Sequence, residues 1–554
     1  MQPLTEYPRP QFKRDSYLSL NGEWEYKISK NEAIPEDFDG KILVPYSPEC
    51  DMNNINHILQ PDEYLFYKKE FELDKDFVKD VVLIHFLAVD QICDVYLNGN
   101  LLGHHEGGFL PFKFEIQNYL EKKNTLILRV KDVTDTSYYS RGKQKLDHGG
   151  IWYTPQSGIW LPVFLESMPS EYIEDIKLTP DIDKSVLKIL VKSKAKKCQI
   201  KVEKNEIEIE TNNEAIIPIK DLHLWSPEDP CLYPLTIKVK GDEIESYFAM
   251  RKFSVMKAGK YLRLALNNKP LFMKGILDQG YYKKGLLTPT SYDDYIKDIE
   301  LAKSLGFNTI RKHIKIEVPR WYYECDKRGM IVWQDFVNGG RTYRSHIITW
   351  PLFSRFHLKD TNHKRFGRED DKGRIDTEEE FKQTIDYLYN CPCIGLWTIF
   401  NEGWGQFDAK RIYKDLIKID NTRIYDHASG WHDQGIGNTK SLHVYFQPVF
   451  LPLRRRKRSI LLTEFGGLVL PIKGHIKEGN SVYKRYDDPS IFYKDYEKMI
   501  RRDVVRNIKK GLSASIYTQL SDVEEETNGF ITFDREVIKL PPENIKKIND
   551  LIHL

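Results

Sequence analysis

Nowhere in the 554 residues does an apolar run approach the roughly 18–20 positions that a membrane-spanning helix needs, so no span and no membrane partner are expected. The first residues, MQPLTEYPRPQFKRDSYLSLNG, lack the apolar centre of a signal peptide. A cytoplasmic location is the expectation, although a secreted chain trimmed of its leader would read the same. Cysteine is scarce: seven residues (50, 93, 198, 231, 325, 391 and 393), odd in number and without framework spacing, as in a reducing compartment. Cys391-Pro392-Cys393 has no second Cys/His pair at zinc-site spacing, so these read as core cysteines and no metal site is assigned. An excess of one charge is absent too: 83 Lys+Arg against 81 Asp+Glu leave +2, so nothing suggests a polyanion partner and no nucleic acid is expected. The one basic run, RRRKR at 454–458, reads as a solvated loop before a strand. No internal repeat or low-complexity tract interrupts the chain.

Aromatics, by contrast, are plentiful at 12%, with 32 Tyr and 10 Trp. Sugar rings stack on such side chains, but β-rich domains also use them heavily. Residues 1–168 read as short strands separated by turns, with Asn21-Gly22 and Asn98-Gly99 as hairpin-type signals; a jelly-roll β-sandwich is predicted. Alternation continues over 169–256 in strands with proline-bearing turns, fitting an immunoglobulin-like β-sandwich. From 257 to 554 strands alternate with helices. Eight strand-like runs lie at 271–276, 309–311, 330–333, 394–400, 424–427, 442–445, 460–463 and 514–519, predicting a (β/α)₈ TIM barrel and, for the whole chain, a multidomain β plus α/β architecture. Two helices stand out. In SYDDYIKDIELAKSLG, Ser291 is placed to cap and Gly306 to stop the helix; in TEEEFKQTIDYLYN, Thr377 and Glu380 form a capping box. The stretch 338–376 shows no clear periodicity and is long enough to be a functional loop.

Barrel active sites lie at the C-terminal ends of the strands. There IGLWTIF runs into Asn401-Glu402-Gly403-Trp404, and SILLTEFGG ends in Thr463-Glu464-Phe465-Gly466-Gly467. A carboxylate at the rim is partly desolvated and its pKa rises, which suits a general acid. Two such groups at one mouth are the minimum equipment for hydrolysing a glycosidic bond, retaining if about 5–5.5 Å apart and inverting if about 6.5–9.5 Å apart. The alternative for each is an ion pair or a helix cap.

Segments along the whole chain then carry a resemblance: PRPQFKRDSYLSLNGEWEY, DVYLNGNLLGHHEGGFLPFKFEI and GGIWYTPQSGIWLPVFLE early, RWYYECDKRGMIVWQDF, TIFNEGWG, LLTEFGG and IYTQLSDVEEETNGFITFDRE later. The chain resembles glycoside hydrolase family 2, which holds β-galactosidases, β-glucuronidases and β-mannosidases. The resemblance implies Glu402 as acid/base and Glu464 as nucleophile of a retaining exo-β-glycosidase without an organic cofactor, acting on a small-molecule or oligosaccharide β-glycoside. It implies that Asn401 bonds the sugar 2-hydroxyl, that Arg311 holds Glu464 ionised, and that Tyr445 touches the nucleophile; Asp335 falls where the family carries an acid on the third strand. An assisting Mg²⁺ or Na⁺ and a homo-oligomer stay open.

Several positions depart from that pattern. The first strand ends Ile276-Leu277-Asp278-Gln279 where relatives have His-Glu, and His313 sits one place early after Arg311. Asp278 and His313 remain substrate-binding candidates. Where glucuronidases carry Asn-x-Lys, this chain has Glu526-Thr527-Asn528, which would repel a sugar carboxylate. That disfavours a glucuronidase, and because β-mannosidases of the family are usually much longer, the resemblance implies a galactosidase-like specificity by default, with other β-glycosides or a non-catalytic carbohydrate-binding protein as alternatives. Trp404 and Tyr517 are candidate sugar platforms. Trp397 reads as core, and HHEGG at 104–108 as structural.

Overall fold

The computed structural model describes residues 3–203, 205–353, 356–452, 457–477 and 483–554. Most of the basic run, Arg454 to Arg456, lies outside the described residues; Arg458 forms an ion pair with Asp433.

The chain begins in a sandwich of two antiparallel sheets. One orders strands Tyr17–Ser19, Val163–Met168, Val81–Phe86 and Phe112–Glu115; the other has six strands, with Asn124–Lys131 near its middle. Period-2 patterning explains the layers: Asn124, Leu126, Leu128 and Val130 are buried while their neighbours are half-buried, and Trp24, Tyr67 and Phe86 fill the space between the sheets. Asn98 and Gly99 both take positive φ (50° and 79°) in the hairpin joining Ile92–Leu97 to Asn100–Glu106, as its two-residue turn requires. Asn21-Gly22 is not a hairpin. It carries the chain from one sheet to the other, and the buried Asn21 side chain bridges Val163 N–H and the carbonyls of Pro3 and Leu4.

A second sandwich follows, with three strands (Ile173–Asp181, Val186–Ser193, Ala215–Pro218) facing four (Asn205–Glu210, Lys197–Val202, Tyr233–Val239, Asp242–Phe248). A short meander, Phe253–Ala258, Tyr261–Leu266 and Lys269–Pro270, then closes the base of the third unit. Arg263 donates to the Leu512 and Ile508 carbonyls and Ser513 to that of Leu262.

That third unit is an eight-stranded parallel barrel: β1 (Met273–Asp278), β2 (Thr309–Lys312), β3 (Ile331–Asp335), β4 (Ile394–Thr398), β5 (Ile424–Asp426), β6 (Thr439–Val444), β7 (Ser459–Gly466) and β8 (Leu512–Thr518). The ladder runs 5-4-3-2-1-8-7-6, with the fifth and sixth strands adjacent but not laddered among the described residues. Six strands are buried from end to end and β1 is buried but for Lys274, whereas β6 alternates, so seven of the runs are mainly apolar or hydrogen-bonded.

Helix α1 (Tyr292–Ser304) starts after Ser291, whose N–H is taken by Asp294, and buries Tyr292, Tyr295, Ile299 and Ala302 at helical spacing. Helix α2 spans Pro319–Arg328. Helix α3 (Asp371–Leu388) begins six residues before the expected capping box. Asp370 caps it by accepting from Gly373 N–H, and Thr377 is interior, bonding the Gly373 carbonyl and Arg368. The stretch 338–376 is thus part irregular, with a short helix at Ser345–Ile348, and part helix. No helix separates β5 from β6 among the described residues.

Candidate active site

Past the end of β4 the backbone continues beside β5 through an isolated Asn401–Ser429 bridge, where Glu402 N–H donates to Ser429 O at 2.9 Å. The chain then turns through two residues of positive φ, Glu402 (50°) and Gly403 (74°). A side chain at 403 would lie 2.7 Å from His432 Cδ2, so only glycine fits. A glutamate in the left-handed region costs on the order of 1–2 kcal/mol, and such strain collects at functional sites. In β7 the pairing slips at Glu464, which sits opposite His443 although Leu462 sits opposite Leu442; this bulge turns the carboxylate toward the barrel mouth.

The two carboxylates meet across His443. Its Nδ1 lies 2.7 Å from Glu402 Oε1 and 3.5 Å from Glu464 Oε2, while its Nε2 is 3.0 Å from Ser429 Oγ. One oxygen of each glutamate and His443 Nδ1 all lie within 4.8 Å of one another. Arg311, on β2 and fully buried, donates to Glu464 Oε1 (3.0 Å), the Thr463 carbonyl (3.0 Å) and Asn401 Oδ1 (2.8 Å), and pairs with Asp335 at 2.9 Å. Asp335 also holds His313 Nδ1 at 2.7 Å. Tyr445 donates to Glu464 Oε2 at 2.5 Å and stands 3.1 Å from Thr518 Oγ1.

These contacts drive the two acids apart. Burial raises the Glu402 pKa, the nearby Glu464 charge raises it further, and the His443 hydrogen bond offsets only part. Burial would raise Glu464 as well, but His443, Arg311, His313 and the Tyr445 hydroxyl outweigh it and hold that carboxyl well below the usual range. Burial and the Glu464 charge keep the Tyr445 phenol protonated, so it acts as a donor.

A cavity of about 400 Å³ opens above the pair; Glu402, Glu464, Tyr445, Trp404, His313 and Thr518 are among its walls. The first sandwich reaches in as well. Residues 149–153 lie against the loop after β8: Gly150 N–H donates to Glu525, Thr154 N–H to Glu524, and the Tyr153 hydroxyl to Glu526. Trp152 packs on Trp404 with ring centres 5.1 Å apart, and Lys143 Nζ lies 3.6 Å from Glu526 Oε2.

Of the residues singled out from the sequence, Glu402, Glu464, Asn401, Arg311, Tyr445, Asp335, His313 and Trp404 come together here. Asp278 and Tyr517 do not. Asp278 pairs with Lys312 at 2.6 Å inside a buried network with Glu317, while its neighbour Leu277 lines the cavity. Tyr517 faces outward between Phe465, Tyr496 and Phe530, and the next residue, Thr518, faces in. One step of strand alternation separates each from the cavity. Trp397, read as core, packs outside the barrel, stacked on Phe336 with Nε1 on Asp420. In HHEGG, His104 bonds Asp94 and Glu106, and His105 stacks on Phe112.

His443 was not among the predicted residues. Its signal was present: it precedes Tyr445 by two places and so shares its strand face. Among the described residues two groups are spaced to hold a cation, Glu402/His443/Glu464 and the more exposed His475/Asp534/Glu536. In the first, His443 already bonds Glu402 and lies close to Glu464.

Two buried donors in the site have no partner among the described residues, Asn401 Nδ2 and Trp404 Nε1. Buried polar groups are rarely left so, and both await an acceptor.

A parallel barrel with paired carboxylates at its C-terminal rim, one held ionised and one pushed toward the protonated form, has the equipment of glycosidic-bond chemistry. The particular family follows from comparison. The sugar binding domain of glycosyl hydrolases family 2 matches residues 52–169, the family's next domain matches 171–251, and its TIM barrel domain matches 259–536. The chain belongs to glycosyl hydrolase family 2. It is 24% identical over 437 residues to a β-galactosidase of Thermoanaerobacter pseudethanolicus, covering 73% of this chain and 53% of that protein. Its fold is similar to a β-D-glucuronidase of Dictyoglomus thermophilum (TM-score 0.77, 19% identity, 98% of each chain). It is also similar to a β-galacturonidase of Eisenbergiella tayi bound to galacturonate (TM-score 0.72, 17% identity, 99% of each chain). The chain spans about half the length of the curated relatives it matches.

Proposed function

We propose that the protein is a retaining exo-β-glycosidase acting on a neutral, galactosidase-like terminal sugar. The observation that carries the reading is the carboxylate pair, with oxygens of both groups within 4.8 Å of His443 Nδ1 and of each other, and with environments that raise the pKa of Glu402 and lower that of Glu464. Oxygens that approach this closely support retention, for which the carboxyl groups stand about 5–5.5 Å apart, over inversion, in which they stand about 6.5–9.5 Å apart.

Glu464 attacks the anomeric carbon while Glu402 gives its proton to the glycosidic oxygen; the C–O bond breaks and a glycosyl ester of Glu464 forms. Glu402, now a carboxylate, takes a proton from water, whose oxygen displaces Glu464 and restores the configuration. Arg311 and Tyr445 keep Glu464 ionised and aimed, and Asn401 Nδ2 meets the 2-hydroxyl oxygen as positive charge grows on the sugar.

Charge in the cavity favours a neutral sugar. Glu525 and Glu526 stand with the two central glutamates in its wall, and the one lysine there, Lys143, is turned to Glu526. The solved relatives named for uronic acids suggest the competing specificity, and the test separates them. Nitrophenyl β-galactoside, β-glucuronide, β-mannoside, β-glucoside and α-arabinoside are compared, and the 2-fluoro analogue of the best is used to trap the enzyme. Mass spectrometry is expected to find the label on Glu464. A label on another residue sinks the role assignment, and preference for the glucuronide sinks the neutral-sugar reading.

A further inference from the structure

Beyond the sugar-binding end, the cavity changes character. Its outer wall is formed by the segment around the short helix Ser345–Ile348 and by the loop after β6, and it is lined by Ile348, Leu352, Phe353, Phe446 and Tyr483. Two of these rings stand in solvent: Phe353 is 76% exposed and Phe446 51%. They come from separate loops and yet are in register. Phe353 and Phe446 lie 6.3 Å apart at 11° from parallel, and Phe446 and Tyr483 6.1 Å apart at 21°. Tyr483 in turn packs on Tyr445 at 5.3 Å, and Tyr445 touches Glu464. A run of three near-parallel rings thus leads outward from the carboxylate pair.

We propose that this wall is the leaving-group subsite and that it selects β-glycosides of planar, apolar aglycones, aryl or phenolic, over those of a second sugar. The assignment rests on the glycosidase reading above. Its argument is chemical. A sugar platform pairs a ring face with polar side chains that bond the hydroxyls at the sugar's edge. Among the described residues of this wall the polar side-chain groups are Thr349 and the Tyr483 hydroxyl, and Ile348, Leu352, Phe353 and Phe446 offer no hydrogen bond. A flat apolar ring laid on the aromatic faces covers the two exposed phenylalanines and leaves no hydroxyl unpaired.

The test uses wild type and a Phe353→Ala/Phe446→Ala double variant, neither residue touching the reacting atoms. Three substrates share the accepted sugar: its methylumbelliferyl glycoside, its glycosyl fluoride, which has no aglycone, and a β-linked disaccharide. On the aryl glycoside the variant is expected to lose roughly tenfold in kcat/KM, carried by KM, since a stacked aromatic contact contributes about 0.5–1.5 kcal/mol. On the fluoride it is expected to stay within about twofold of wild type. Equal losses on fluoride and aryl glycoside would show a damaged site rather than a lost subsite and would overturn the proposal. So would an unchanged aryl rate, or a loss on the disaccharide as large as that on the aryl glycoside. A wild-type enzyme that turned over no glycosyl fluoride would instead bring down the glycosidase reading on which it stands.

Discussion

Asn401→Ala is the most discriminating substitution in the site, because stability and activity should move independently. Asn401 is 2% exposed; its Oδ1 accepts from Arg311 Nη2 at 2.8 Å, and its Nδ2 has no partner among the described residues. An unsatisfied buried donor costs about 1–3 kcal/mol. Truncation removes that penalty but also takes the Oδ1 acceptor from one of the two Arg311 Nη2 hydrogens, the other staying with Asp335 at 2.9 Å, so the two effects oppose and the melting temperature should change little. The loss appears when substrate binds. If Nδ2 bonds the sugar 2-hydroxyl, and more strongly at the transition state, about 1.5–3 kcal/mol disappears and kcat/KM falls roughly 10- to 100-fold. A cycle with the 2-deoxy glycoside isolates the contact. Wild type should lose a similar factor on the 2-deoxy substrate, and the variant should then lose little more. Equal damage by Asn401→Ala on both substrates would refute the assignment, because the side chain would be acting through Arg311 or through packing.

Two further outcomes follow from titration. His443→Asn removes the hydrogen bond that lowers Glu402 and the largest influence that lowers Glu464, so both pKa values rise. Glu402 then stays protonated to higher pH and Glu464 becomes protonated at higher pH; both limbs of the kcat/KM profile should move upward, and an acid limb that stayed put would contradict the geometry. Asp326 is buried against Cys393 N–H and the Tyr247 hydroxyl, and burial lifts its pKa to about 6. Folding therefore favours its protonated form, and stability from this group falls as pH rises from about 4 to about 6. Asp326→Asn should be more stable than wild type above pH 6, by up to about 3 kcal/mol, and not below pH 4; urea midpoints across that range check it.

Much of the barrel could be read from the chain because its strands are continuous apolar runs and its glutamates follow two of them directly. Glu402 and Glu464 sit where strand ends place them. Arg311, Asn401 and Tyr445 join them because each is on, or one turn from, a predicted strand. What escaped had a physical reason in each case. Asp278 and Tyr517 are one position out of phase with the cavity, and a strand's face cannot be assigned when both faces are buried. His443 lies on the one alternating strand, where a polar residue also suits a solvated face. Lys143 and Trp152 come from a loop of the first sandwich some 250 residues upstream of Glu402, and nothing local in KQKLDHGGIWYT marks them as part of a barrel mouth. Helix α3 was read late because its cap is Asp370, within a stretch too polar to show a period.

The contact between residues 149–153 and the loop after β8 bears on how far the chain is modular. Its sheets and barrel look like parts that could be exchanged, yet the backbone of the first holds the glutamates of the last. A barrel grafted onto a different first domain would inherit its carboxylate pair and lose one side of the pocket. Exchanging the sandwich would therefore reshape the pocket as well as the scaffold, and an engineered variant has to keep residues 149–154 together with the loop after β8.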